Sequence, residues 1–230
     1  MAGIKQINKQ HRNVDLDTMF LGNQDEWLLK TLDSHLYSIQ EPQRPGVFYP
    51  SALGNPCNRF LYMAYNGLLV SKPLESNTQR IFDNGGYLEE RMDTYFKGIG
   101  ILIDREVSLL LDSPPISGRC DFILAHDTHK KIIVELKSIN DRGFKALKQF
   151  PKPEHELQLQ IYLNLLPAEY GTVLYENKND QKLKAFLLKR NSNVFEQIIK
   201  RCNKVMRMVE MPKMCRGNKW CPCKDVQVGG

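Results

Sequence analysis

Two carboxylates and one amine lie at a spacing that could assemble a site for hydrolysis. Asp121 is followed, fourteen residues later, by the triplet that begins at Glu135 and ends at Lys137. Residues 119–125 and 131–138 are rich in Ile, Val, Leu and Phe, a composition that predicts two short strands. The polar residues 126–130 would connect these strands as an antiparallel hairpin. Such a hairpin would bring all three charged groups together near one end.

The register of this hairpin decides whether the groups meet. If Ala125 pairs with Lys131, the same register sets Asp121 opposite Glu135, and cross-strand neighbours are roughly 5 Å apart. Alternation along the strand directs Glu135 and Lys137 to one face. Two adjacent carboxylates repel each other, and a hard cation such as Mg²⁺ relieves that repulsion. The sequence therefore predicts a divalent-metal site, in which Lys137 could orient a water. An ordinary hairpin with solvent-facing charges is the alternative.

The charge distribution indicates an anionic partner. The 230 residues carry a net charge of +6, but residues 189–224 hold ten Lys and Arg against two Glu. A phosphate backbone attracts such a basic segment, whereas a solvated helix face is the alternative interpretation. No apolar run approaches the roughly 20 residues that span a bilayer, and the N-terminus lacks the apolar core of a signal peptide. We therefore expect a soluble, cytoplasmic protein without a membrane partner.

Four of the six cysteines could hold a metal. Cys215, Cys221 and Cys223 lie close together beside Lys and Arg, which favours their thiolate forms. Three thiolates need a fourth ligand to complete a tetrahedral zinc site or a cubane cluster, and Cys57 is the best candidate. Free surface thiols are the alternative. We expect the remaining two cysteines to pack in the hydrophobic core: Cys120 and Cys202.

Two predicted helices carry polar residues that could join the site. Gln158 and Tyr162 are four residues apart and share a helix face, where both could form hydrogen bonds and the tyrosine could stack. Gly85 and Gly86 precede Glu89, and glycines inside a helix often mark close backbone packing. If that helix packs on the sheet, Glu89 becomes a further metal ligand. Amphipathic helices with polar edges facing solvent are the alternative.

The alternation of strands and helices indicates an α/β domain in which helices cover a mixed sheet. Hydrophobic periodicity and turn residues define the elements. Strands are predicted at 105–112, 119–125, 131–138, 171–177 and 182–189. Helices are predicted at 25–40, 57–68, 76–98, 142–149, 154–166 and 193–210.

The order of the motifs resembles the RecB-type branch of the PD-(D/E)XK nuclease superfamily. The motifs run Gly85-x3-Glu89, Gly118-x2-Asp121, Glu135-x-Lys137 and Gln158-x3-Tyr162. With one cysteine upstream and three near the C-terminus, the chain is similar to the iron–sulfur subgroup of that branch. This subgroup includes the CRISPR-associated RecB-like exonucleases, the AddB nuclease domain and phage RecB-like exonucleases. The resemblance covers residues 47–223, and residues 49–59 resemble the segment that carries the first cluster cysteine.

The resemblance implies a restriction-endonuclease-like core with a mixed central β-sheet, and a subdomain made of N-terminal helices and the Cys-rich C-terminus. Residues 1–46 would be an extension, and residues 47–230 the nuclease domain with its metal-cluster segment.

The resemblance also implies roles for individual residues. Asp121, Glu135, Glu89 and the carbonyl of Leu136 would bind Mg²⁺ or Mn²⁺, and Lys137 would position the attacking water. A [4Fe–4S] cluster, with Zn²⁺ as the alternative, would be held by Cys57, Cys215, Cys221 and Cys223. Gln158 and Tyr162 would hold the DNA strand or brace the site. Further contacts to DNA are expected from Lys200, Arg201, Lys204, Arg207 and Lys219.

The implied function is a metal-dependent DNA exonuclease that acts on ends or single strands, in recombination, replication or DNA degradation, and phage-encoded relatives are known in this branch. A structure-specific endonuclease or junction resolvase on the same fold is one alternative. A non-catalytic DNA-binding module with a structural metal is another. Ring-forming relatives imply a homo-oligomer, and the pathway implies a recombination or replication protein as partner. Two features depart from the pattern: Glu89 stands where many members carry His, and the C-x5-C-x-C spacing is unusual.

Overall fold

A five-stranded mixed sheet forms the body of the protein, in a computed structural model that describes residues 26–37, 44–69, 75–215 and 221–224. The strands lie side by side in chain order, and only β3 and β4 are parallel. Their bounds are β1 Leu102–Asp112, β2 Pro115–His126, β3 Lys130–Ile139, β4 Tyr170–Asn177 and β5 Leu183–Lys189.

Helices cover both faces of this sheet. They are α1 Glu26–Tyr37, α2 Pro50–Leu53, α3 Asn58–Tyr65, α4 Ser76–Gly98, α5 Asp141–Ala146, α6 Pro153–Leu165 and α7 Ser192–Met206, followed by a 3₁₀ turn at Pro222–Lys224. Because β3 and β4 are parallel, the chain must cross over between them, and α5 and α6 make that crossover. The five predicted strands are confirmed. The helix predicted at 142–149 ends at Ala146, because Leu147 adopts an extended backbone and buries its side chain in the core.

Two hydrophobic clusters lie on opposite faces of the sheet. The larger one joins α6 and α7 to one face through residues such as Leu159, Ile161 and Ile133. The smaller one joins α4 to the other face, where Leu88 packs with Val134. No helix among the described residues has the length and apolar character needed to cross a membrane.

Strand β2 reverses its two faces at Asp121. Before this residue, Ile116 and Cys120 point into the larger cluster. After it, Phe122 and Leu124 point into the smaller cluster, although strict alternation would keep all four on one side. Such a break in the pleat re-aims side chains, as a β-bulge does. The predicted packing of Cys120 in the core is confirmed, and Cys202 of α7 is buried in the same cluster.

The glycines that mark close packing are not those predicted from the sequence. A Cβ atom added at Gly85 or Gly86 would meet nothing within 4 Å, so the prediction of close packing there is wrong. A Cβ at Gly54 would lie 2.6 Å from the carbonyl oxygen of Glu154, at the start of α6. The loop after α2 therefore rests directly on the helix that carries Gln158.

Candidate active site and metal centre

The β2–β3 hairpin holds Asp121 beside the triplet that starts at Glu135. The predicted register is confirmed, because Ala125 pairs with Lys131, and the ladder continues to Phe122. The connection is shorter than predicted, since His126 and Lys130 also pair. At the break in β2, the Oδ2 atom of Asp121 accepts the backbone N–H of Leu136 at 2.6 Å. This hydrogen bond fixes one carboxylate next to another.

Glu135 is a buried carboxylate with one unused oxygen. Only 1% of the residue is exposed, and the ammonium group of Lys137 forms an ion pair with its Oε1 atom. Burial raises the pKa of Glu135, and the charge of Lys137 opposes that shift. Within the described part of the chain, Oε2 is buried and has no hydrogen-bond partner. A buried oxygen without a partner is costly, so this atom is suited to a ligand that the protein does not itself supply.

Three carboxylates influence one another electrostatically at this point. Burial, followed by the charge of Glu135, raises the pKa of Asp121 to about 7. Glu89 reaches the same place from α4, and its pKa is raised by burial and then by Asp121. A divalent cation would favour the charged forms of all three groups, and carboxylate oxygens are ligands that Mg²⁺ prefers. The residues present therefore fit a metal of this class.

Helix α6 places Gln158 and Tyr162 against the carboxylates. Both side chains are buried, and the Nε2 atom of Gln158 donates to the hydroxyl of Tyr162 at 2.9 Å. Burial and the nearby Glu135 raise the pKa of Tyr162. With 2% of its surface exposed, Tyr162 offers no open ring face to a nucleic-acid base. In this structure the two side chains hydrogen-bond to each other inside the protein.

His155 is a residue of this site that the sequence reasoning missed. Its Nδ1 atom lies 2.8 Å from the hydroxyl of Tyr175, which also accepts the backbone N–H of Lys152 at 3.0 Å. Burial and the charge of Lys137 lower the pKa of His155 to about 3, so the ring is neutral. The sequence signal for His155 was its position three residues before Gln158 in the same predicted helix.

Four cysteine side chains converge where the C-terminal segment meets α3. The Sγ atoms of Cys57, Cys215, Cys221 and Cys223 all lie within 4.8 Å of one another. Three of the four residues are buried, and Cys215 is partly so. This predicted grouping is what a four-thiolate metal centre requires, because tetrahedral ions and cubane clusters both take four converging sulfurs.

Arg201 anchors the segment that precedes the first cluster cysteine. Its guanidinium donates to the side chain of Asn58 at 2.9 Å, to the carbonyl of Leu53 at 3.0 Å and to that of Asn55 at 2.6 Å. These contacts use the planar donor fork of arginine within the protein. The DNA contact predicted for this residue would have to compete with them.

The other basic residues that were predicted to contact DNA lie on an open surface at the C-terminal end of α7. Lys200, Lys204 and Arg207 line a cavity of about 580 Å³ and are exposed. Lys200 lies 3.7 Å from the carboxylate of Glu196, itself exposed, and such surface pairs are weak. Lys219, also predicted to contact DNA, lies outside the described residues.

A curated relative resembles part of the chain. No protein-family model matches the chain. The CRISPR-associated exonuclease Cas4 of Saccharolobus solfataricus is 43% identical over 61 residues, which are 26% of this chain and 27% of that protein. The match thus spans about a quarter of the relative's length.

Solved structures share the fold over most of the chain. The crystal structure of SSO0001 has a TM-score of 0.55 and 23% identity, with 92% of this chain and 96% of that chain covered. The alkaline exonuclease LHK-Exo from Laribacter hongkongensis has a TM-score of 0.51 and 17% identity, with 75% and 90% covered. The predicted fold class, a mixed sheet flanked by helices with a cysteine cluster at the C-terminus, is confirmed.

The raised pKa of Asp121 predicts how stability depends on pH when no divalent metal is present. The folded protein keeps a proton that the unfolded chain loses between its ordinary pKa of 3.8 and about 7, so the free energy of unfolding falls as the pH rises through that window. Asp121→Asn cannot ionise, yet it keeps an oxygen for the Leu136 N–H. We expect this variant to be more stable than wild type above about pH 7, by about 1–3 kcal/mol, and equal near pH 4.

Urea unfolding at about pH 4, 6 and 8 measures this difference. Asp127→Asn, an exposed turn residue, is the matched control and should follow wild type throughout. If the free energies of unfolding of wild type and Asp121→Asn changed with pH in parallel, the pKa of Asp121 would not be raised in the folded protein.

The cysteine cluster predicts a selective loss of bound metal. We expect Cys57→Ala to lose most of its metal and to fold in lower yield, because the site loses one of its four thiolates. Cys202→Ala removes a thiol that is also buried but lies outside the cluster, so its metal content should be unchanged. Elemental analysis for iron and zinc, with the visible spectrum of anaerobically purified protein, makes the comparison. Equal metal content in the two variants would contradict the assignment.

Proposed function

We propose that this protein is a divalent-metal-dependent DNA exonuclease. The observation that carries the proposal is the unpartnered, buried Oε2 atom of Glu135, which lies among two further carboxylates and a lysine. An apolar sheet gains nothing by holding such a group unless a cation and a substrate use it. The partial likeness to an enzyme named Cas4 exonuclease and the fold shared with an alkaline exonuclease support DNA as the substrate.

The carboxylates of Asp121, Glu135 and Glu89, with the carbonyl of Leu136, would hold Mg²⁺ or Mn²⁺. When bound there, the metal lowers the pKa of a coordinated water and stabilises charge on a phosphoryl oxygen. The protein's part is positional: Asp121 is fixed by the Leu136 N–H, and Glu135 by Lys137. Gln158 supports the site from α6.

Lys137 would orient the water and neutralise charge that develops on the phosphate. Its ammonium group donates to Glu135, which leaves two N–H groups for other acceptors. The neighbouring imidazole of His155 is neutral, so it adds no charge that would compete with the ammonium for the phosphate. A donor held this way needs little rearrangement as charge develops.

The DNA strand would be drawn to the protein by the exposed Lys200 and Lys204 of α7, by the exposed Arg207 that follows this helix, and by Lys219. Phosphate contacts of this kind position a strand without reading its sequence. We assign the activity to DNA ends or single strands, in recombination, replication or DNA degradation. A homo-oligomer, a recombination or replication protein as partner, a cytoplasmic location and a phage origin belong to the same proposal.

We further propose that the four clustered cysteines hold a [4Fe–4S] cluster. Support comes from the four converging sulfurs and from the order of the cysteines along the chain. The cluster would join the C-terminal segment to α3 and so has a structural role. If the purified protein were colourless and contained zinc, the four cysteines would be assigned to a zinc site instead of an iron–sulfur cluster. The nuclease proposal would be unaffected.

Cleavage of linear and circular single-stranded DNA in Mn²⁺ tests the proposed activity. Wild type should degrade an end-labelled linear strand and leave the circle intact. Glu135→Gln and Lys137→Ala should each slow cleavage by about 100-fold or more, because each removes a group that stabilises the transition state. Lys131→Ala, at the distant end of the same strand, is the matched control and should keep full activity.

Three other outcomes would contradict the proposal. Cleavage of the circle would indicate an endonuclease on the same fold. Binding of DNA without metal-dependent cleavage would indicate a non-catalytic binding module. Full activity in Glu135→Gln would move the active site elsewhere.

A further inference from the structure

A polar cleft of about 270 Å³ opens between α4 and the ends of β3 and β4. Leu88 and Ser138 line this cleft. Ser138 follows Lys137 in β3, so the two side chains point to opposite faces of the sheet, and the cleft lies on the face that α4 covers. The residues of the proposed mechanism do not line this cleft.

An exposed aromatic ring stands at this cleft. Tyr87 lines it and is 68% exposed, although burial of so large a ring would stabilise the protein. An open ring face is what a stacking platform for a nucleic-acid base requires. Tyr95, two turns further along α4, is 55% exposed but does not line the cleft. The helix therefore carries both a candidate platform and a matched tyrosine for comparison.

The rest of the lining supplies groups for the polar edge and phosphate of a nucleotide. Arg91 forms an ion pair with Glu176, which is 6% exposed. Within the described residues, the Nε atom of Arg91 is buried without a hydrogen-bond partner. Lys178 and Gln181 extend from the β4–β5 turn and are exposed. The cleft thus combines the aromatic face of Tyr87, the ammonium group of Lys178 and one donor without a partner, the Nε atom of Arg91.

We propose that this cleft binds one base of the DNA strand, with the base stacked on Tyr87 and Lys178 at a neighbouring phosphate. The inference rests on the proposed function in taking DNA as the ligand. The cleft is slightly smaller than the roughly 300–1,000 Å³ of pockets for drug-sized ligands, which suits a single planar base. Stacking of this kind tolerates any base, so the subsite would hold a strand without selecting its sequence.

Binding of fluorescein-labelled oligothymidylate, followed by fluorescence anisotropy in the absence of divalent metal, tests the subsite. Tyr87→Ala should raise Kd about 5–150-fold, the range expected for one stacked base. Tyr87→Phe keeps the ring and should bind within about twofold of wild type, as should Tyr95→Ala. Lys178→Ala should raise Kd and reduce its dependence on salt.

A set of oligonucleotides with a single abasic site at successive positions locates the base. Wild type should bind one member of the set more weakly than the intact strand, and Tyr87→Ala should bind that member and the intact strand equally. Equal Kd values for wild type and Tyr87→Ala, or equal losses in Tyr87→Ala and Tyr95→Ala, would overturn the subsite. Cleavage by wild type, measured alongside, tests the proposed function separately: an inactive protein whose Kd depends on Tyr87 would keep the cleft and refute the nuclease.

Discussion

The burial of the Glu135 carboxylate inside an apolar sheet is the constraint on which the rest of the structure depends. A carboxylate loses its hydration on burial, and a single ion pair with Lys137 satisfies only one of its two oxygens. Replacing both residues by apolar ones would suit the packing of the sheet better. That the protein keeps the charged pair, with Asp121 and Glu89 close by, is the physical reason to assign the site a cation and a reaction.

The architecture brings groups to this point from both faces of the sheet. The reversal in β2 at Asp121 lets that strand contribute a carboxylate at the place where Phe122 turns to the opposite cluster. Helix α4 supplies Glu89 from one side, and helix α6 supplies Gln158 and Tyr162 from the other. Hydrophobic packing fixes α6 on one face of the sheet and α4 on the other, so the polar side chains are positioned by the helices that carry them.

The cysteine centre and the active site share a mechanical connection. Arg201 holds the loop that leads to Cys57, and Gly54 in that loop rests on the backbone of Glu154 where α6 begins. Because α6 also carries Gln158 and Tyr162, the position of the cysteine segment bears on the position of these two side chains. A structural metal at the four cysteines would therefore stabilise the helix that carries them.

The sequence predicted the hairpin register from local rules, because strand alternation fixes the pairing of Ala125 with Lys131. It predicted the grouping of the four cysteines because three clustered thiolates need a fourth ligand to complete a metal centre. The reversal at Asp121 could not be predicted, since it depends on which of the two hydrophobic clusters buries Phe122. Three further features likewise depend on neighbours distant in the chain. They are the open space around Gly85, the neutral state of His155 and the hydrogen bonds of Arg201 within the protein.

Calorimetric titration of Mn²⁺ into wild type and Glu135→Gln, with the cysteine site left loaded, tests the central claim most directly. The account predicts saturable Mn²⁺ binding to wild type and an affinity at least about tenfold weaker in the variant, because one carboxylate ligand is lost. Equal affinities would show that Mn²⁺ binds elsewhere, and an absence of binding in wild type would show that the buried carboxylates are not a metal site.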